Sequence, residues 1–424
     1  MKFAIVTFGC RVNQAESFGL EEELRARGGE PAGTGHADLV VVNTCSVTAV
    51  ADQGARQAIR RIARTNPSAQ IVVTGCYATH RPADLQELPG VARLVPNGDK
   101  SRLAAVVGAD LGRTTARAGD GADGCGPTVR PGAVGRTAYP LWVQTGCDER
   151  CAYCIIPATR GASQSRSLEE VVLEARRASQ AGFKEVVLTG VHLGSYGRDL
   201  MPRRSLVDLL CALDRCGGDV WYRVSSVEPM DCTAAVLDVL AGSGRFAPHL
   251  HLPLQHASDR VLRAMRRPYT LRSYRRVVDT IRERLPDAAI GTDLMAGFPG
   301  ETDRDFRQLL DYLEDSPLTS AHVFCYSDRP GTPAAAMTPK VHGETVKQRA
   351  EALRARAANL SRRFQASQVG SVRRGLTLAD GSLVLTDNYL KIRVPPGRPR
   401  NEWVKVQILA AGQTLTGTVV DGHI

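Results

Sequence analysis

Short, wholly apolar runs alternate with amphipathic stretches through the first third of the chain. Residues 3–8, 38–43 and 70–74 are β-branched or apolar at nearly every position, the pattern of strands covered on both faces. Between them, residues 14–27 and 51–64 carry apolar side chains at helical spacing. In the second, Ala55, Ala58, Ile59 and Ile62 share one face. Such alternation predicts a small α/β domain with a parallel sheet over residues 1–112. Residues 113–136 turn Gly-, Ala- and Pro-rich, which builds no core and predicts a flexible linker, with Cys125 incidental.

From Pro140 six further strand-like runs recur with helices between them, at 141–144, 185–189, 220–225, 249–254, 289–294 and 320–326. Repeated βα units predict a parallel barrel, and only six strands make it open or partial. A long basic helix over 340–365 completes a unit spanning 137–365. Beyond it the pattern breaks into short runs at 383–386, 389–394, 402–408 and 414–419, separated by Gly, Pro, Asn and Asp. That spacing predicts a small β-barrel over 366–424. The fold class is therefore α/β with a carboxy-terminal β module.

Composition narrows the class. With 43% hydrophobic and 23% charged residues, a chain of 424 residues builds ordinary globular cores rather than a disordered segment. No apolar run is long enough to cross a bilayer, and the opening residues lack the pattern of a signal peptide, so the expected compartment is the cytoplasm, with no membrane partner. Thiols stay reduced there, and eleven cysteines point to metal ligation more than to disulfides. The net charge of +10 is uneven: residues 340–400 hold 13 Lys/Arg against 4 Asp/Glu, and a second basic segment runs from Arg260 to Arg276. Clustered positive charge fits a nucleic-acid partner, the alternative being a solvated face.

Cys147, Cys151 and Cys154 are spaced CxxxCxxC. Three thiolates this close can hold three corners of a cubane iron–sulfur cluster and leave one iron open. The alternative is zinc, whose structural sites are four-coordinate and usually built from two pairs, and no second pair follows. Three other cysteines, Cys10, Cys45 and Cys76, each lie just past a predicted strand. Ligands of open α/β sheets gather beyond the carboxyl ends of strands, so these thiols could converge. Taken singly, each would be a small buried hydrophobe.

Around these residues the chain resembles the radical S-adenosylmethionine (SAM) methylthiotransferases. The likeness rests on CxxxCxxC followed by Ile155-Ile156-Pro157 and Arg160-Gly161, on His251-Leu252-Pro253-Leu254-Gln255 with Ser258-Asp259, and on Gly297-Phe298-Pro299-Gly300-Glu301-Thr302. Asn43-Thr44-Cys45-Ser46-Val47-Thr48 resembles the branch that acts on threonylcarbamoyladenosine at position 37 of tRNA. The resemblance implies two 4Fe-4S clusters, one on Cys147, Cys151 and Cys154 that reduces SAM to a 5′-deoxyadenosyl radical, the other on Cys10, Cys45 and Cys76. It implies a partial radical SAM barrel and a terminal TRAM domain that binds RNA, for which Arg373, Arg374, Lys391 and Arg393 are the candidates. Tyr153, Gly190, Arg223, Glu228 and Gln255 are expected near SAM or substrate, with a structural Arg223–Glu228 ion pair as the competing role. His192, His251 and His256 are read as hydrogen-bonded barrel residues.

Partners implied are tRNA and an electron donor such as flavodoxin or ferredoxin, with the chain a monomer. The second branch modifies isopentenyladenosine and a third an aspartate of a ribosomal protein; an RNA-binding iron–sulfur sensor is the non-enzymatic alternative. Thr145, Asp148 and Gln164 depart from the family's usual residues, which leaves the contacts around residues 160–166 less defined. Because every expected ligand lies upstream of residue 366, loss of the carboxy-terminal module is expected to leave both cysteine sets in place and to weaken RNA binding.

Overall fold

Three of the apolar runs pair directly with one another. Strands β1 (Lys2–Thr7), β3 (Leu39–Thr44) and β4 (Gln70–Gly75) are adjacent and parallel, flanked by β2 (Glu30–Pro31) and β5 (Val91–Val95) in the order β2-β1-β3-β4-β5. Val40, Val42, Ile71 and Val73 face the helix Ala49–Thr65 through Ala55, Ile59 and Ile62. Leu39, Val41 and Val72 face Leu24 and Leu103 on the other side. Covering both faces is what makes these strands apolar at every position. The edges β2 and β5 escape sequence analysis because one is two residues long and the other exposes Ala92 and Arg93. The computed structural model describes residues 1–110, 129–132 and 136–420; most of the expected linker, Cys125 included, lies outside the described residues.

The second unit contains the six expected parallel strands: β6 (Tyr139–Thr145), β8 (Glu185–Gly190), β9 (Trp221–Val224), β10 (His249–His251), β11 (Ala289–Ala296) and β12 (Ser320–Cys325), with the short antiparallel β7 (Gln164–Ser165) on the edge of β6. Strand pairing divides them into two groups, β7-β6-β8-β9 and β10-β11-β12. Main-chain bonds join the two groups, from Ala247 N to Tyr222 O at 2.9 Å and from Val227 N to His251 O at 3.0 Å. Side chains alternate along the strands. Leu188, Tyr222, Leu250, Ile290 and Leu294 enter the helix-facing core, while Glu185, Arg223, His249, His251, Asp293 and His322 face inward. The barrel interior is thus polar, in contrast to the branched aliphatic filling of a closed eight-stranded barrel. The helix Arg11–Ala26 packs the first unit against β6, with Phe18 edge-on to Tyr139 at 5.1 Å.

Five strands close the carboxy-terminal barrel: β13 (Val372–Leu378), β14 (Leu383–Thr386), β15 (Lys391–Arg393), β16 (Trp403–Ala411) and β17 (Leu415–Val420), in the order β13-β14-β15-β17-β16. β13 is not evident from sequence, because Arg373, Arg374 and Gly375 interrupt its apolar pattern. Those arginines also correct an expectation. Arg373 pairs with Asp287 and Asp387, both at 2.9 Å. Arg374 pairs with Asp219 at 2.9 Å and lies over Trp403 and Trp221, 4.1 and 4.9 Å from the ring centroids. Both therefore fasten this barrel to the SAM-type barrel, and of the four RNA candidates Lys391 and Arg393 are the exposed ones. Cation–π contacts of this kind are worth about 0.5 to 2 kcal/mol. Arg374→Ala is accordingly expected to loosen the junction by that order, seen as faster limited proteolysis between residues 366 and 372.

Candidate active site between two cysteine sets

Cys147, Cys151 and Cys154 occupy the loop after β6, and several constraints fix its path. Gly146 has φ +69°, and a Cβ there would stand 1.8 Å from Ala162 O. That close approach lets Cys147 N donate to Gly161 O at 3.1 Å. Farther along, Ala152 N donates to Met265 O and Ala334 N to Ala152 O, at 2.9 and 2.8 Å. Gln144, fully buried at the end of β6, braces the start of the loop. Its Nε2 donates to Thr145 O, Gly146 O and Ser163 Oγ, and its Oε1 accepts from His192 N at 2.9 Å. Gly146→Ala is expected to displace the loop and cut bound iron by about half at unchanged far-UV circular dichroism, because a main-chain clash has no side chain to absorb it.

Buried cations surround these sulfurs. Burial pushes the Cys154 thiol up to about 12 and raises that of Cys151. Arg267 opposes this at Cys151, its Nη1 donating to Sγ at 3.3 Å. Arg267 is itself held by Glu228 and by the Tyr269 hydroxyl at 2.8 Å. At Cys147, His192 Nδ1 lies 3.9 Å from Sγ while Nε2 meets Asp231 at 2.6 Å. Burial lowers the His192 pKa, but the Asp231 carboxylate and the Cys147 sulfur outweigh it and raise it to about 10. Positive charge beside buried sulfur favours the thiolate, the form that binds metal.

The other expected residues are distributed around this loop. Tyr153 packs with Ala152, Val261, Met265 and Phe298. Gly190 ends β8, and a Cβ there would be 2.7 Å from Leu193 and 3.1 Å from Gln144 Oε1, so the main chain approaches closely. Gln255 holds φ +68° and bridges to Leu294, a strained backbone of the sort retained at functional positions. Glu228 pairs with Arg267 rather than with Arg223. Arg223 instead meets Glu185 at 2.6 Å and the Asp387 carbonyl at 3.1 Å, and lies over the Tyr389 ring. It therefore faces the carboxy-terminal barrel and stands apart from the cysteine loop. His251 meets Asp293 at 3.1 Å, and His256 accepts from Ser258 N at 2.9 Å. Gln144 and Asp231 were not read from sequence, where a lone polar residue carries no sign of what it braces, and Arg267, read there as part of the basic segment from Arg260 to Arg276, is buried against Glu228 and Cys151.

The amino-terminal cysteines follow three adjacent strands, as the topology required. Cys10 lies beyond β1, Cys45 directly after β3 and Cys76 directly after β4. Glycine makes room for them: a Cβ on Gly9, at φ +92°, would sit 2.5 Å from Cys45 Sγ. Burial raises the Cys45 thiol to about 11, with Cys10 and Cys76 close enough to add to the effect. Asn97 ties the two sets together, its Nδ2 3.6 Å from Cys76 Sγ and 2.9 Å from Thr159 O, just past the CxxxCxxC loop. Arg160, from the same stretch, crosses to Glu16 at 2.6 Å. Asn97 and Arg160 therefore tie the stretch that follows the CxxxCxxC loop to the amino-terminal unit.

All described cysteines are free. Among the described residues no three His, Cys, Asp or Glu side chains converge on a single ion. The donor chemistry fits an iron–sulfur cluster at each set: sulfur ligands alone, N–H groups of Val47 and Ile156 turned to Cys45 and Cys154, and a buried guanidinium nearby. Ser46 Oγ and Ser225 Oγ, also at strand ends, are buried without a protein partner.

Comparison with known proteins agrees with this arrangement. Residues 143–313 match the Radical SAM superfamily and residues 2–96 the Uncharacterized protein family UPF0004. The threonylcarbamoyladenosine tRNA methylthiotransferase MtaB of Bacillus subtilis (strain 168) is 35% identical, over 96% of this chain and 94% of its own length. The ribosomal protein uS12 methylthiotransferase RimO of Roseiflexus sp. (strain RS-1) is 34% identical over 100% and 94%. The radical SAM methyltransferase TsrM from Kitasatospora setae shares the fold, with TM-score 0.58 over 79% of this chain and 75% of its own, at 18% identity. An extended match to sequences that carry both units places this chain in the radical SAM methylthiotransferase family.

Proposed function

We propose that this protein methylthiolates threonylcarbamoyladenosine at position 37 of tRNA, at C2 of the base. The observation that carries the reading is that Asn97 and Arg160 join the stretch after the CxxxCxxC loop to the unit whose three adjacent strands end at Cys10, Cys45 and Cys76. The Bacillus subtilis threonylcarbamoyladenosine tRNA methylthiotransferase, matched over nearly its whole length, supports the choice of substrate. Cys147, Cys151 and Cys154 would hold the 4Fe-4S cluster, and Cys10, Cys45 and Cys76 a second one. A 4Fe-4S cluster with an open iron supplies the one-electron reduction of SAM, and through it an oxidant strong enough for an aromatic C–H bond, which no side chain provides.

The chain's own residues bind, orient and shield. Arg267 holds positive charge against Cys151 Sγ, and the Glu228 carboxylate fixes the direction of its guanidinium. Gly190 lets Leu193 and Gln144 pack closely on the end of β8, while Tyr153 and Phe298 form an apolar wall beside the loop. Gln255, a few residues past β10 and bridged to Leu294, would add its side-chain amide on the same rim. Exposed Lys391 and Arg393 would contact tRNA phosphates. An electron donor of the flavodoxin or ferredoxin kind and a monomeric, cytoplasmic enzyme complete the reading; among the described residues no helix is long and apolar enough to cross a membrane.

Mass spectrometry of tRNA nucleosides from a strain lacking the gene tests this. The 2-methylthio derivative of threonylcarbamoyladenosine should disappear while its unmodified precursor accumulates. Persistence of that derivative, with loss of the isopentenyl counterpart, would move the protein to the other tRNA branch.

A further inference from the structure

The inner wall of the barrel holds polar groups that the cysteine sets do not use. Arg223, inward on β9, gives one face to Glu185 and the Asp387 carbonyl, yet its Nη2 is buried without a partner. Its side chain is 1% exposed. His249 Nδ1, inward on β10, is likewise buried and unpartnered. Tyr389, from the turn between β14 and β15, lies across both, 4.3 Å from the His249 ring and 4.7 Å from the Arg223 guanidinium. Its φ of +69° is a conformation that non-glycine residues keep only where the surroundings hold them. The Tyr389 hydroxyl accepts from Arg11 Nη2 at 2.8 Å. Arg11 directly follows Cys10.

Glu185 pairs with Arg223, and Asp293 lies 3.1 Å from His251. Arg11 is an additional cation that meets a neutral hydroxyl, and burial together with Arg223 holds His249 neutral. A guanidinium beside the Cys10 loop, a second guanidinium with a free N–H and a neutral imidazole make a receptor for one carboxylate.

Resting on the function proposed above, we propose that Arg11, Arg223 and His249 bind the carboxylate of the threonylcarbamoyl group, and so select acid-bearing adenosines. Tyr389 orients Arg11 and closes the receptor from the side of the carboxy-terminal barrel. The isopentenyl group is pure hydrocarbon and would offer Arg223 Nη2 and His249 Nδ1 no partner, whereas a carboxylate would supply the one they lack. Sites built around a buried polar group reject analogues that lack it far more strongly than apolar pockets reject a misfit.

The test uses the full chain with its clusters reconstituted and fluorescence anisotropy on anticodon stem–loop RNAs. Adenosine 37 carries the threonylcarbamoyl acid, its methyl ester or an isopentenyl group. The parent protein should bind the acid about tenfold more tightly than the ester, the scale of one charge-assisted hydrogen bond. Arg11→Gln, at an exposed position, should remove most of that preference. His249→Phe keeps the stack on Tyr389 and should remove part of it. An acid-to-ester ratio that is the same in the parent and both variants overturns the receptor. Preference of the parent protein for the isopentenyl RNA would overturn the assigned function itself, a separate result from the ratio.

Discussion

Replacing Cys151 with alanine should abolish 5′-deoxyadenosine formation and methylthiolation together. Cys151 is buried, receives Arg267 at 3.3 Å, and is one of only three thiols in its loop. With one thiolate gone, a cluster that already has an open iron keeps two anchors, and Arg267 is left facing a methyl group. Iron content should fall by roughly half from about eight per chain, the complement of two 4Fe-4S clusters. Anaerobic incubation with SAM and dithionite, read by chromatography of 5′-deoxyadenosine, checks the result. Product at the parental rate would remove Cys151 from the radical-generating site.

Cys45→Ala should separate the two activities. Cys45 lies in the other unit, at the end of β3. Cleavage of SAM should persist while methylthiolated nucleoside is lost, again with roughly half the iron. The substitution removes a sulfur from a tight corner beside Gly9 and adds no bulk, so loss of fold is not expected to imitate loss of function. Parental methylthiolation by this variant would show that the amino-terminal cysteines hold no sulfur-transferring group.

The structure alters one expectation about the carboxy-terminal barrel. Its sequence position, downstream of every cysteine in the two sets, suggested that its removal would leave them undisturbed. Tyr389 instead holds Arg11, the neighbour of Cys10, and Trp403 packs edge-on to Trp221 of β9 at 4.5 Å. Truncation before β13 would therefore bare the barrel interior and free the Cys10 loop, as well as remove Lys391 and Arg393.

Local pattern was enough for the three-part α/β organisation, the six parallel strands and the position of Cys10, Cys45 and Cys76 after adjacent strands. Strand and helix periodicities are properties of neighbouring residues, and the ends of parallel strands lie on one edge of a sheet whatever the loops between them do. The division of labour among the arginines was not legible. Arg373 and Arg374 read as part of a basic surface, yet Asp287, Asp219 and two tryptophans from distant segments engage them. Arg223 was a candidate partner of Glu228, yet it lies against Tyr389, far along the chain. A charged side chain carries no address in the sequence. Its partner is fixed only when packing brings remote elements within a few ångströms and burial makes an unpaired charge too costly to leave.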